Sequence, residues 1–227
     1  MIHTKKIVKN IAFIIGFFSL IKLASLLKMS FVVGSHTMFF GGASIITPLA
    51  GLFGGAAGAT GVFSLCALIR FFSYGLFLPF KHFSYFVPGY CASLYWVSNN
   101  ILSRLLLPLL CMILFIAHPV GFWAAPYACY WLIPITLYFV QNKSVFLQAL
   151  CSTLIAHAVG SVIWIYSVPM SVFDWYRLIP VVAVERFAFA LGMVVVYNGI
   201  RNVYKKLTLF GGYSDFLSVY KSFKTNG

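Results

Sequence analysis

Leu178–Ile200, LIPVVAVERFAFALGMVVVYNGI, is an apolar run that carries two adjacent charges, Glu185 and Arg186, near its middle. A helix needs about 20 such residues to cross a bilayer core about 30 Å thick, so the run reads as a membrane span. An ionised group at that depth costs about 2.5–3.5 kcal/mol on insertion scales, and it normally faces a protein interior or a water-filled cavity. Consecutive helical residues sit about 100° apart and do not face one another. Each charge therefore needs a partner elsewhere, and His157 on the preceding apolar run is the candidate for Glu185. The stretch sets the fold class as an all-α polytopic membrane helix bundle with a polar interior.

The rest of the chain agrees with that class. It is 62% hydrophobic and 8% charged, whereas a soluble domain carries about 25% charged residues. The net charge is +13, and eight of the 16 Lys and Arg lie at the two ends. Lys5, Lys6 and Lys9 precede the first apolar run, and Arg201, Lys205, Lys206, Lys221 and Lys224 follow the last. Positive residues flanking spans mark the cytoplasmic side. The charge is thus read as setting topology, with some affinity for anionic lipid, and nucleic acid is not expected as a partner. A multi-pass protein of the cell (inner) membrane follows, with both termini cytoplasmic. Residues 1–10 form a basic N-terminus, 11–200 the transmembrane bundle and 201–227 a basic tail.

The apolar start at Ile11 lacks a small-residue cleavage site and is interrupted by Lys22, so it reads as an uncleaved signal-anchor span. Lys22 either snorkels outward or points into the bundle. The five cysteines are scattered with no C-x-x-C. They indicate neither a disulfide framework nor a zinc site, and no metal or other cofactor is expected. No nucleophile–base motif such as G-x-S-x-G is present, so the chain is read as a non-enzyme.

Further spans are expected over Ile11–Met29, Ala56–Leu78, Ile101–Ala117, Phe122–Val140 and Val145–Tyr166. Phe31–Phe53 is broken by Gly34, Gly41, Gly42 and Pro48 and reads as partly loop. Such irregular backbone is tolerated at membrane depth only where protein or a cavity covers it. Lys81–Asn100 is aromatic and contains Pro88 and Gly89, which suggests an interfacial or re-entrant stretch. Cytoplasmic ends require an even count, so the expectation is about six core transmembrane helices, six to eight in all. Lys143 in a short loop marks a cytoplasmic turn.

Small residues and aromatics supply the remaining signals. Gly51, Gly55 and Gly54, Gly58 each fit the small-xxx-small pattern of closely packed membrane helices. Trp123, Tyr127, Tyr130 and Trp131 share one helical face, as do His157, Ser161 and Trp164. These faces serve either as packing surfaces or as a ligand box. On the second reading a small aromatic ligand stacks on Trp123, Tyr127 or Trp164, and His157, Glu185 and Arg186 orient it in a mostly apolar pocket.

Phe39–Phe63, FFGGASIITPLAGLFGGAAGATGVF, resembles the second and third spans of the substrate-binding S components of energy-coupling factor (ECF) vitamin transporters, particularly the thiamine-type group. Gly41-Gly42-Ala43-Ser44 with Thr47-Pro48 stands in the loop positions, and Gly54, Gly55 and Gly58 open the next helix. The last two spans are similar in spacing and in aromatic and histidine content. The resemblance implies six helices, cytoplasmic termini and a vitamin pocket near the outer face. It also implies a transmembrane T subunit and two ATP-hydrolysing subunits as partners. Ala12-x-x-x-Gly16 approximates the family's docking face on the first helix. The thiamine-type carboxylate of the fourth helix has no counterpart between Ile101 and Val140, so thiamine itself is not implied. Two other expectations stand beside this one: a non-catalytic membrane assembly or scaffold subunit, and a stand-alone proton-coupled carrier.

Overall fold

Backbone hydrogen bonds must be satisfied within the chain wherever lipid replaces water, and the described residues are mostly helical. In the computed structural model the described residues are 2–31, 39–74, 86–97, 99–141 and 143–210. Helix α1 (Ile2–Ala24) leads to a two-stranded antiparallel hairpin, β1 (Lys28–Phe31) and β2 (Phe39–Gly41). A single turn, α2 (Ala43–Ile46), precedes α3 (Leu49–Tyr74) and α4 (Val87–Val97). A π-helical turn (Leu102–Leu106) runs into α5 (Leu107–Ala117). The chain then forms α6 (Pro119–Trp123), α7 (Ala125–Ala128), a 3-10 turn (Cys129–Trp131) and α8 (Leu132–Tyr138). Two long helices, α9 (Val145–Ser167) and α10 (Val172–Phe210), follow.

Among the described residues, three helices are long and apolar enough to cross a membrane: Leu49–Ser73, Val145–Ser167 and Val172–Val203. Asn10–Ala24 and Leu102–Ala117 are shorter apolar helices. Helix α1 starts at Ile2, within the basic segment 1–10. Similarly, α10 continues past Ile200 to Phe210, and residues 211–227 lie outside the described ones. Lys22 is exposed, with its ammonium 5.4 Å from the Phe18 ring centroid.

The glycine-broken stretch Phe31–Phe53 is partly non-helical, with β2, α2 and the first residues of α3 in place of one span. Within α3, Gly55 has φ 60° and ψ −163°, a conformation that L side chains avoid, and the helix kinks there. Helix α4 occupies the described part of Lys81–Asn100. Its 11 residues rise about 16 Å, half of a hydrocarbon core. Its Ala92, Tyr95 and Trp96 are buried against neighbouring helices. Residues 75–85 lie outside the described ones.

Phe122–Val140, expected as one span, is a chain of short helices. Pro126 and Pro134 interrupt it, and Ala124 leaves the helical region at φ −96°, ψ 17°. A proline lacks the N–H and restricts the residue before it, which accounts for the break. Caps fix the longer elements. Ser144 Oγ accepts from Leu147 N–H (3.2 Å) at the start of α9. Ser171 and Asp174 form a reciprocal capping box at α10, with Ser171 N–H donating to Asp174 Oδ2 (3.0 Å) and Asp174 N–H to Ser171 Oγ (3.2 Å).

Candidate functional site

Helix α9 brings His157 and Ser161 to one face, one turn apart, and the broken segment after α6 brings Tyr127 and Trp131 against them. All four are buried. Tyr127 Oη lies 2.6 Å from His157 Nε2 and 3.2 Å from Ser161 Oγ. Trp131 Nε1–H donates to His157 Nδ1 at 3.1 Å. An indole nitrogen can only donate, so Nδ1 is the acceptor and the ring proton of the neutral imidazole sits on Nε2. Donation then runs in one direction, from Trp131 to His157 to Tyr127 to Ser161. An imidazolium would present a second N–H to the Trp131 donor, so the arrangement selects the neutral ring.

Aromatic rings enclose this chain. Phe115 stacks on Tyr127 at 5.6 Å and meets Trp131 and Trp175 edge-on at 5.3 and 5.0 Å. Trp175 meets Tyr127 at 4.8 Å. Its indole N–H is buried without a hydrogen-bond partner, and the edge-on rings beside it offer π faces as weak acceptors. Glu185 and Arg186 approach from α10. Contrary to the expectation that adjacent residues cannot meet, Arg186 Nη2 lies 3.2 Å from Glu185 Oε2. The long arginine stem folds back to close the gap that helix geometry leaves between neighbouring Cβ atoms. The Arg186 guanidinium also lies over the Phe189 ring at 4.8 Å, within electrostatic reach of Tyr127 and His157. His157 thus bonds to Tyr127, Trp131 and Ser161, and the expected His157–Glu185 pairing gives way to the Glu185–Arg186 pair.

The sequence-derived residues therefore divide. Tyr127 and His157 are bonded to each other, and Glu185 and Arg186 form a pair nearby. Trp123 stands apart, 69% exposed, because the break at Ala124 turns it out of the face shared by Tyr127 and Trp131. Trp164 lies two turns along α9 from His157, and its N–H points to Met170 Sδ at 3.0 Å. Ala12 and Gly16 are exposed on α1, and a Cβ at Gly16 would meet nothing within 4 Å. Trp131 and Ser161, visible in the sequence as stripe members, prove to be direct partners of the histidine. Trp175 had no such signal beyond being bulky in an apolar run.

A second feature lies between α3 and α4. Thr47, Phe63, Tyr90 and Ser93 line part of a cavity of about 20 Å³, room for about one water. Thr60 and Tyr90 hydroxyls are 3.0 Å apart beside it, and the Phe63 and Tyr90 rings stack at 4.6 Å. Among the described residues no three His, Cys, Asp or Glu side chains gather as a metal site. No protein-family profile matches the chain, and no curated protein or solved structure is similar to it.

Proposed function

We propose that the chain is the integral membrane substrate-binding (S) component of an ECF-type transporter, taking up a vitamin or similar small molecule. The observation that carries this reading is the interrupted backbone between α1 and α3. Two short strands, a single helical turn and the left-handed Gly55 occur within a chain otherwise built of apolar helices. Binding membrane proteins use such interruptions, covered by neighbouring helices, to place polar groups near their ligands. The small cavity under α4 and the polar chain around His157 lie in the same bundle. A vitamin-sized ligand needs about 300 Å³ or more, so the elements lining the cavity must part to admit it. Tyr127, His157, Glu185 and Arg186 are the proposed orienting groups.

The exposed Ala12 and Gly16 on α1 support docking of a transmembrane T subunit, which would in turn recruit the ATP-hydrolysing subunits. In this reading six core helices cross the inner membrane, with the basic start of α1 and the basic end of α10 on the cytoplasmic side. A proton-coupled carrier is disfavoured because Trp131 already occupies His157 Nδ1. An assembly subunit is favoured by one observation: the His157 chain satisfies its own hydrogen bonds.

Native mass spectrometry of the detergent-purified chain, with identification of released small molecules, separates the two readings. A stoichiometric vitamin-like ligand is expected. Protein that stays empty in the presence of a vitamin panel and copurifies with polypeptide partners would overturn the transport reading in favour of the assembly subunit.

A further inference from the structure

Among the described side chains three Trp or Tyr are exposed: Trp123 (69%), Tyr166 (54%) and Tyr176 (43%). Hydrogen bonds tie all three to one end of the bundle. The Tyr166 hydroxyl donates to the Leu114 carbonyl oxygen at 2.8 Å and joins the end of α9 to that of α5. The Tyr176 hydroxyl donates to the Trp123 carbonyl oxygen at 3.1 Å and joins the start of α10 to α6. The His118 ring meets Tyr166 edge-on at 5.1 Å, and Phe122 meets Trp123 at 5.5 Å. Phe122 and Phe173 are exposed here too, and the exposed Arg177 holds its guanidinium 5.1 Å from the Phe173 ring centroid. These rings border the turn between α9 and α10, two helices of membrane-crossing length.

Farther along α10 the exposed residues change character. Val181, Val184, Phe187, Leu191 and Val195 recur every three or four positions, the spacing of one helical face, and no side chain among them has a polar atom. Rings with a polar edge suit the layer between hydrocarbon and water, whereas plain hydrocarbon side chains suit the acyl region. The lengths agree. From Tyr166 back to the Ser144 cap, α9 rises about 33 Å, and from Tyr176 to Arg201, α10 rises about 38 Å. A hydrocarbon core about 30 Å thick fits within those limits.

We propose that Trp123, Tyr166 and Tyr176 seat this end of the bundle in the headgroup layer of the phospholipid bilayer and so set its depth. The exposed Trp123 indole brings an N–H for lipid ester or phosphate oxygens, and Arg177 brings a guanidinium for phosphate. Lipid is favoured over a second protein chain because residue type follows depth along the helix axis, which a bilayer dictates and a protein partner does not. The placement holds for a transporter and an assembly subunit alike. With these rings at the interface, His157 and Glu185 come to lie near the bilayer midplane. Nine residues of α9 separate Tyr166 from His157, and nine of α10 separate Tyr176 from Glu185, about 14 Å in each case.

The test is tryptophan fluorescence of the full chain in phosphatidylcholine vesicles whose acyl chains carry bromine either close to the headgroup or close to the chain end. Trp123→Phe removes the exposed indole, so the difference between wild type and this variant reads Trp123. That signal should be quenched more strongly by the shallow bromine than by the deep one. Phe187→Trp, made in the Trp123→Phe background, should give the reverse order, because Phe187 lies eleven residues, about 16 Å, beyond Tyr176. Both sites are exposed and both changes exchange one ring for another, so folded protein is expected in each case. Stronger quenching of Trp123 by the deep bromine, or the same order at both positions, would overturn the placement. Quenching by aqueous acrylamide with neither bromine effective would put this end of the bundle in water instead. Protection of Trp123 from all three quenchers would assign the rings to a covering protein chain and overturn the lipid as their partner.

Discussion

Two packing regions share α9, and they hold their helices together by different means. Around the first half of α9, the core contains Leu49, Ala50, Tyr95, Ala149, Cys151 and Ile155, and glycines of α3 let neighbouring helices come close. A Cβ at Gly51 would collide with the Ser93 carbonyl of α4, and one at Gly54 or Gly61 with Phe13 or Ile14 of α1. Ser152 Oγ adds a hydrogen bond to the Ala92 carbonyl (2.9 Å). Around the second half, Phe115, Tyr127, Trp131 and Trp175 fill the space with rings, and the polar chain through His157 sets their orientation. Lipid tails are as apolar as leucine, so burial alone does not drive helices together in a membrane. One region relies on close backbone approach, the other on oriented polar and aromatic contacts.

The largest effect is expected where the close approach is filled. Gly51→Val places two methyl groups into a backbone carbonyl that cannot move without shifting α4. Overpacking of ordinary side chains costs about 1–3 kcal/mol, and this backbone collision should exceed that range. Monodisperse folded protein should be lost in size-exclusion chromatography. Recovery of Gly51→Val at wild-type yield would show that α3 and α4 do not pack through that glycine.

In the aromatic region, Glu185→Gln comes next. It removes the carboxylate that faces the buried Arg186 guanidinium, and breaking a buried pair costs about 3 kcal/mol. Thermal unfolding in detergent should fall clearly below wild type, and an unchanged melting temperature would mean that Arg186 does not depend on Glu185. Trp131→Phe keeps the ring but removes the N–H that meets His157 Nδ1. An unsatisfied buried acceptor costs about 1–3 kcal/mol. Combined with Tyr127→Phe, the loss should be less than the sum, because both substitutions break the same chain. Strict additivity would mean that the two bonds act independently.

The two regions were not equally legible. Small-xxx-small spacing pointed to Gly51, Gly54 and Gly58 before any contact was known, because missing side chains are visible in a sequence. The hydrogen-bond chain was only half visible. His157 and Ser161 lie one helical turn apart and were paired correctly, but their partners arrive from a segment 26 to 34 residues earlier, and no local period encodes that meeting. Trp123 was grouped with Tyr127 by a helical period that the Pro126 break removes. Glu185 and Arg186 were separated by an argument about Cβ directions that neglects the reach of a long arginine.

The smallest effect sharpens the comparison, because it concerns the same residue type in the opposite setting. Gly16 on α1 fits the small-residue pattern as well as Gly51 does, yet a Cβ there meets nothing within 4 Å. Helical glycine is destabilising by about 0.5–1 kcal/mol relative to alanine. Gly16→Ala should therefore raise the melting temperature of the isolated chain slightly. A bulkier Gly16→Leu should leave the isolated chain folded and, if α1 docks a T subunit through this face, abolish copurification of that partner. Destabilisation of the isolated chain by either substitution would show that the face already packs within the bundle, and the docking surface would have to be sought on another helix.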